Sequence, residues 1–166
     1  EKTALPTEVV YPEVEEEVPN EEHYTGDLIL DLDLQNDSGY LTGFEIGATY
    51  QQMLDRIALM NTGVNIRIER NDEEKPKDAL IATGDTLIII DDAGESTYTV
   101  IIKGDIDGDG IIGTLDYLLY RKALLNTYEM NNLEIKAAEI NGEKEISTLG
   151  YLHLRKYLLG TGNIEQ

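Results

Sequence analysis

The 166-residue chain has no cysteine and no tryptophan, and phenylalanine occurs once. The missing thiols exclude disulfides and thiolate metal sites, but they do not fix a compartment. Positive charge is scarce as well. Thirteen Lys and Arg stand against 33 Asp and Glu, a formal net charge of -20 with a pI near 4.2. A surface this acidic repels nucleic acid and anionic membranes and suits divalent cations or basic protein partners. No apolar run reaches the length of a membrane span and no signal-peptide pattern occurs, so membrane insertion is not expected. Histidine appears twice, at His23 and His153. The hydrophobic fraction, 41%, is sufficient for a folded core. The chain opens on Glu1 without Met, which suggests a piece of a longer polypeptide.

Three regions differ in composition. Residues 1–25 read as an acidic linker, in which Pro6, Pro12 and Pro19 punctuate a run containing Glu13, Glu15, Glu16, Glu17, Glu21 and Glu22. A short edge strand around Val9–Tyr11 is the alternative. Residues 26–102 have the pattern of a small α+β module, rich in β-structure with one helix. Leu28, Leu30, Leu32 and Leu34 alternate with Ile29, Asp31, Asp33 and Gln35, which predicts a strand with one wet face. Thr49 and Gln52 form a capping box before a helix with Tyr50, Met53, Leu54, Ile57 and Met60 on one side. Asn61-Thr62-Gly63 ends that helix. Val64, Ile66 and Ile68 return to strand period, and Leu87–Ile90 with Tyr98–Ile102 predict a hairpin around Asp91-Asp92-Ala93-Gly94.

Residues 103–166 follow another grammar, expected to be all-α and built from a repeat. The segment from Thr114 to Leu125 aligns with Thr148 to Leu159 at an offset of 34 residues, with eight of twelve positions identical. Similarity at a fixed period indicates a duplicated supersecondary unit. Before the first copy lies a calcium-binding pattern. Asp105, Asp107 and Asp109 supply carboxylates at loop positions 1, 3 and 5, Gly110 permits the turn at 6, Ile111 offers its carbonyl at 7, and Asp116 closes the loop at 12. Gly113 leaves position 9 to a water, and Ile112 pins the loop to the core. β-patterned residues enter the loop where an EF-hand needs a helix, so the unit is half an EF-hand, used twice, and not a sensor that opens a helix pair.

The second loop, 139–150, is degenerate. Glu139, Asn141 and Glu143 hold positions 1, 3 and 5, but Lys144 replaces the turn glycine and Gly150 removes the closing carboxylate. It is expected to be metal-free, held by Lys144 and neighbouring hydrogen bonds.

The helix after the first loop carries more apolar surface than one face holds. Tyr117, Tyr120 and Leu124 suit the core between repeats, while Thr114, Leu115, Leu118, Lys122 and Leu125 cluster elsewhere, with Leu119 at the margin. A module of this size cannot bury both faces, so the second is expected to be an interaction patch, oriented by Arg121 and Lys122. The same set recurs at Thr148, Leu149, Leu152, Arg155 and Lys156, and His153 replaces Leu119. A partner could therefore dock on either helix in orientations related by about 180°.

Gly104–Gly110 with Asp116 and Arg121-Lys122, and Ala137–Gly142 with Arg155–Gly160, resemble the two repeats of dockerins, which plug bacterial proteins into the cohesin modules of cellulosome-like assemblies. The resemblance covers roughly Lys103 to Gly160. It implies calcium as cofactor and a cohesin as partner, contacted at Thr114, Leu115, Arg121, Lys122, Thr148, Leu149, Arg155 and Lys156. It also implies secretion by an anaerobic bacterium, with attachment to a cell surface or a multienzyme complex. The preceding α+β region is similar in arrangement to the X-modules that brace some dockerins. No group of residues has the makings of a catalytic site, so no enzyme activity is expected. A glycan-binding α+β region is the alternative, resting on Tyr40, Phe44, Tyr50 and Tyr98.

Overall fold

The computed structural model describes residues 28, 29, 31–60 and 63–166. The expected linker and its possible edge strand lie outside them, as do His23, Leu30, Asn61 and Thr62. A mixed sheet with a helix between its second and third strands comes first, and further helices follow. The sheet has strands β1 (Gln35–Asp37), β2 (Tyr40–Thr42), β3 (Asn65–Arg70), β4 (Glu73–Glu74), β5 (Thr86–Asp91) and β6 (Gly94–Val100), in the order β1-β2-β6-β5-β3-β4. Only β2 and β6 pair in parallel; the other neighbours are antiparallel.

Helix α1 (Tyr50–Met60) starts where the capping box places it. The Thr49 N–H donates to Gln52 Oε1 at 2.8 Å, and the Gln52 N–H donates back to Thr49 Oγ1 at 3.2 Å. It buries Tyr50, Met53 and Ile57 with Ile66, Ile68, Leu87 and Ile89 of the sheet. The β5–β6 hairpin turns as its sequence predicts, because Asp91 Oδ1 accepts the N–H groups of Ala93 and Gly94. β6 ends at Val100, two residues before the expected Ile102; Ile101 and Ile102 continue buried but unladdered, and the Ile101 N–H bonds the Leu41 carbonyl.

The strand expected over Leu28–Leu34 is not formed. Leu28, Ile29 and Asp31 are helical, and the Leu32 N–H closes on the Leu28 carbonyl at 3.0 Å. Leu28, Ile29 and Leu32 are buried together, the i, i+1, i+4 spacing of one helical face; alternation cannot bury both Leu28 and Ile29. The short strands β1, β2 and β4 were not foreseen, being two or three residues long with little apolar content. Of the aromatics that could have formed a glycan platform, Phe44 and Tyr50 are in the core.

From Thr114 the chain is helical: α2 (Thr114–Leu124), α3 (Asn132–Ala138) and α4 (Thr148–Leu158). A second buried cluster unites Ile106, Ile112, Tyr120, Met130, Ala137, Ala138, Ile140, Leu154 and Ile164, and Ile46 packs against both this cluster and the sheet's. α3 was not expected. Asn131 caps it, accepting from the N–H groups of Leu133 and Glu134 while Glu134 Oε2 accepts the Asn131 N–H.

Candidate calcium loop and docking helices

The loop after β6 curls around its own carboxylates. Oxygens of Asp105, Asp107 and Asp109 approach within 4.8 Å of one another. Asp105 is fully buried; its Oδ1 accepts the Asp109 N–H at 3.0 Å, and its Oδ2 accepts the N–H groups of Thr83 at 2.8 Å and Gly110 at 3.2 Å. Gly108 and Gly110 have positive φ, +73° and +90°. Burial, with Asp116 and Asp109 nearby, pushes the Asp105 carboxyl up to about 6 against the lowering pull of its amide donors. Burial likewise raises the carboxyls of Asp107 and Asp116. Three carboxylate oxygens converging within 4.8 Å are the donor set a hard cation fits.

Asp116 sits outside that trio. It is buried at the start of α2, with Oδ1 accepting the N–H groups of Ile106 and Asp107, and Oδ2 that of Gly113 at 2.6 Å. One carboxylate thus fastens both ends of the loop and caps the helix. Ile112 is buried as the loop's anchor, whereas the Ile111 side chain is exposed.

In the second loop every candidate ligand is engaged elsewhere. Glu139 Oε1 pairs with Lys136 Nζ at 3.2 Å. Asn141 Oδ1 accepts the Glu165 N–H, and its Nδ2 donates to His153 Nδ1 at 2.9 Å. Glu143 Oε2 accepts the Ser147 hydroxyl at 3.0 Å, and Ser147 Oγ caps α4 by accepting the Gly150 N–H. The place of the missing carboxylate is filled by Tyr120. Its hydroxyl accepts the Ser147 N–H at 3.1 Å, and a Cβ on Gly150 would lie 2.0 Å from that oxygen. The expected role of Lys144 is not realised. It is exposed and makes no hydrogen bond or ion pair among the described residues; the neighbouring hydrogen bonds hold the loop without it.

Helices α2 and α4 pack about the stacked pair Tyr117 and Tyr151, equivalent residues whose ring centroids are 4.6 Å apart and whose hydroxyls bond to each other. Tyr120 and its counterpart Leu154 are wholly buried. The opposite faces are open and match: Leu115 and Leu149 are 52% and 49% exposed, and Leu118 and Leu152 are 40% exposed each. Thr114, Arg121, Lys122, Leu125, Thr148, Arg155 and Lys156 are exposed alongside, while Leu119 and His153 are half-buried. The same face includes Leu159, 64% exposed, which the sequence reading left out although it is the counterpart of Leu125 at 59%. The repeat also extends further than twelve residues. Thr127 bonds the Lys122 carbonyl as Thr161 bonds that of Lys156, and Asn126 and Gly160 both take positive φ.

Comparison with known proteins finds no match among curated proteins or solved structures. Residues 103–159 match the family model described as the dockerin type I domain. That span takes in the acidic loop, its degenerate twin and helices α2, α3 and α4. Residues 103–159, behind the mixed sheet, are therefore a dockerin module, a docking unit without catalytic chemistry of its own.

Proposed function

We propose that residues 103–166 anchor the protein to a cohesin module of a cellulosome-like scaffold or cell surface, with a single calcium ion organising the contact face. The carrying observation is the pair of matching open rows, Leu115, Leu118 and Leu125 on α2 and Leu149, Leu152 and Leu159 on α4, flanked by Arg121-Lys122 and Arg155-Lys156. Unsatisfied apolar rows beside fixed charge favour a protein partner. Calcium would be held by Asp105, Asp107, Asp109, the Ile111 carbonyl and Asp116, and its chemistry there is structural: it neutralises the converged carboxylates and fixes the start of α2. The second loop takes no ion in this reading, since Tyr120 fills the closing position.

Residues 26–102 form the supporting domain, similar in placement to an X-module, and the protein is secreted. No step of catalysis is assigned to it. The test is capture on a panel of cohesins with calcium and with chelator. Binding that disappears on chelation supports the proposal; calcium-independent binding, or hydrolysis of a glycan by the chain alone, contradicts it.

A further inference from the structure

The segment Leu80–Asp85 of the sheet region lies directly against the first half of the acidic loop. The Thr83 N–H donates to Asp105 Oδ2 at 2.8 Å, and the Thr83 hydroxyl bridges the N–H and carbonyl of Ile102, at 3.0 and 3.2 Å. A Cβ on Gly108 would lie 2.8 Å from the Thr83 carbonyl oxygen, and one on Gly110 would lie 2.7 Å from that of Ile81. The Gly47 N–H bonds the Gly110 carbonyl at 3.2 Å. The two loop glycines thus serve the close approach of the sheet region as well as the turn.

An ionic cluster around the buried Asp85 sets where Thr83 stands. Asp85 is fully buried, with Arg70 Nε 2.6 Å from Oδ1 and Lys75 Nζ 2.7 Å from Oδ2. The Ala82 N–H also donates to Asp85 Oδ2 at 2.8 Å. Arg70 Nη2 donates to the Thr83 carbonyl at 2.9 Å, and Lys75 Nζ to that of Leu80 at 2.6 Å. All these groups precede the residues that match the dockerin model. A charged network of this kind is a costly way to hold a connecting segment unless its position matters.

We propose that Thr83 and the Arg70–Asp85–Lys75 cluster are positioning parts of the calcium site, so that the sheet region sets the affinity of the loop and bound calcium in return stabilises the sheet. The amide of Thr83 supplies Asp105 with a charge-assisted bond that the repeat itself lacks. At the equivalent position of the second loop, Glu139 pairs with Lys136 in the last turn of α3, just before it. Groups that orient a ligand typically account for about 10- to 100-fold in metal affinity, and linkage makes the coupling reciprocal. The inference rests on the reading of 105–116 as a calcium loop.

The experiment is calcium titration calorimetry on the whole chain and on Arg70→Met, Thr83→Pro and Lys77→Met. Lys77 belongs to the sheet region but pairs with Glu74 and Tyr50, away from the loop. Wild type is expected to bind calcium, Arg70→Met about tenfold more weakly, Thr83→Pro about 10- to 100-fold more weakly, and Lys77→Met with unchanged affinity. A wild-type chain that binds no calcium overturns the calcium reading itself. Calcium binding by wild type with unchanged affinity in Arg70→Met overturns the coupling, as does equal weakening by Lys77→Met. If Thr83→Pro does not fold, judged by circular dichroism at saturating calcium, Arg70→Met decides alone.

Discussion

Tyr120 and Gly150 occupy space that a more faithful repeat would share differently. Where the first loop closes with Asp116, the second closes with a tyrosine hydroxyl inserted from the opposite helix, 2.0 Å from where a Cβ on residue 150 would be. Gly150→Ala should therefore destabilise the fold by about 1–3 kcal/mol through overpacking, measured by urea denaturation. Gly150→Asp should be at least as damaging and gain no second calcium. Asp105 gives a second residue-scale prediction, in its pH dependence. Its carboxyl is raised to about 6 in the calcium-free fold, above an unfolded value of about 3.9, so the neutral form is the one the fold favours. The calcium-free contribution of Asp105 is present below pH ~4 and is lost as pH rises through about 6. Melting of calcium-free protein should show Tm falling between about pH 4 and 6, and Asp105→Asn should flatten that slope. Calcium binding requires the ionised form, so its stabilising effect should grow across the same window.

At the scale of elements, two helices share one design. The Tyr117–Tyr151 pair marks the axis between them, and Leu118 and Leu152 emerge with equal exposure on their outer faces. Leu118→Asp with Lys122→Asp, and separately Leu152→Asp with Lys156→Asp, should each leave cohesin binding largely intact if either helix can lead, and together should abolish it. Loss from the first pair alone would rule out the two-way mode for that partner. Leu154→Ala, in the packed seam, should cost about 2–5 kcal/mol, read by chemical denaturation. These helices were legible in the sequence because the 34-residue period fixes them independently of propensity. Helix α1 was legible from its cap. The Leu28–Leu34 segment was not, since alternating Leu and Asp satisfied strand period while the buried pair Leu28 and Ile29 requires a helical turn. Helix α3 depends on the Asn131–Glu134 capping box and tertiary burial of Ala137 and Ala138, which no periodic pattern announces. In the site, the spacing of Asp105, Asp107, Asp109 and Gly110 was readable; the donor from Thr83 and the plug from Tyr120 come from residues 22 positions before Asp105 and 30 before Gly150. Contacts over such separations are set by the fold, not by local pattern.

Across the whole molecule, the acidic loop is the joint. It accepts a bond from the sheet region through Thr83, starts α2 through Asp116, and lies in the same buried cluster as Ile164 near the end of the chain. The end is itself tied back, with Gln166 bonding both the N–H and the carbonyl of Lys103. A single cation in the loop would then act on sheet and docking helices together, although the chain carries a net charge of -20. The most direct measurement is a calcium titration followed by amide NMR on the intact chain. A single calcium site braced by Thr83 predicts shifts that saturate at one equivalent, centred on Asp105–Asp116 and including the Thr83 amide, with Asn141–Gly150 unmoved by direct binding. A second transition in Asn141–Gly150 saturating at two equivalents, or a Thr83 amide indifferent to calcium, would contradict it.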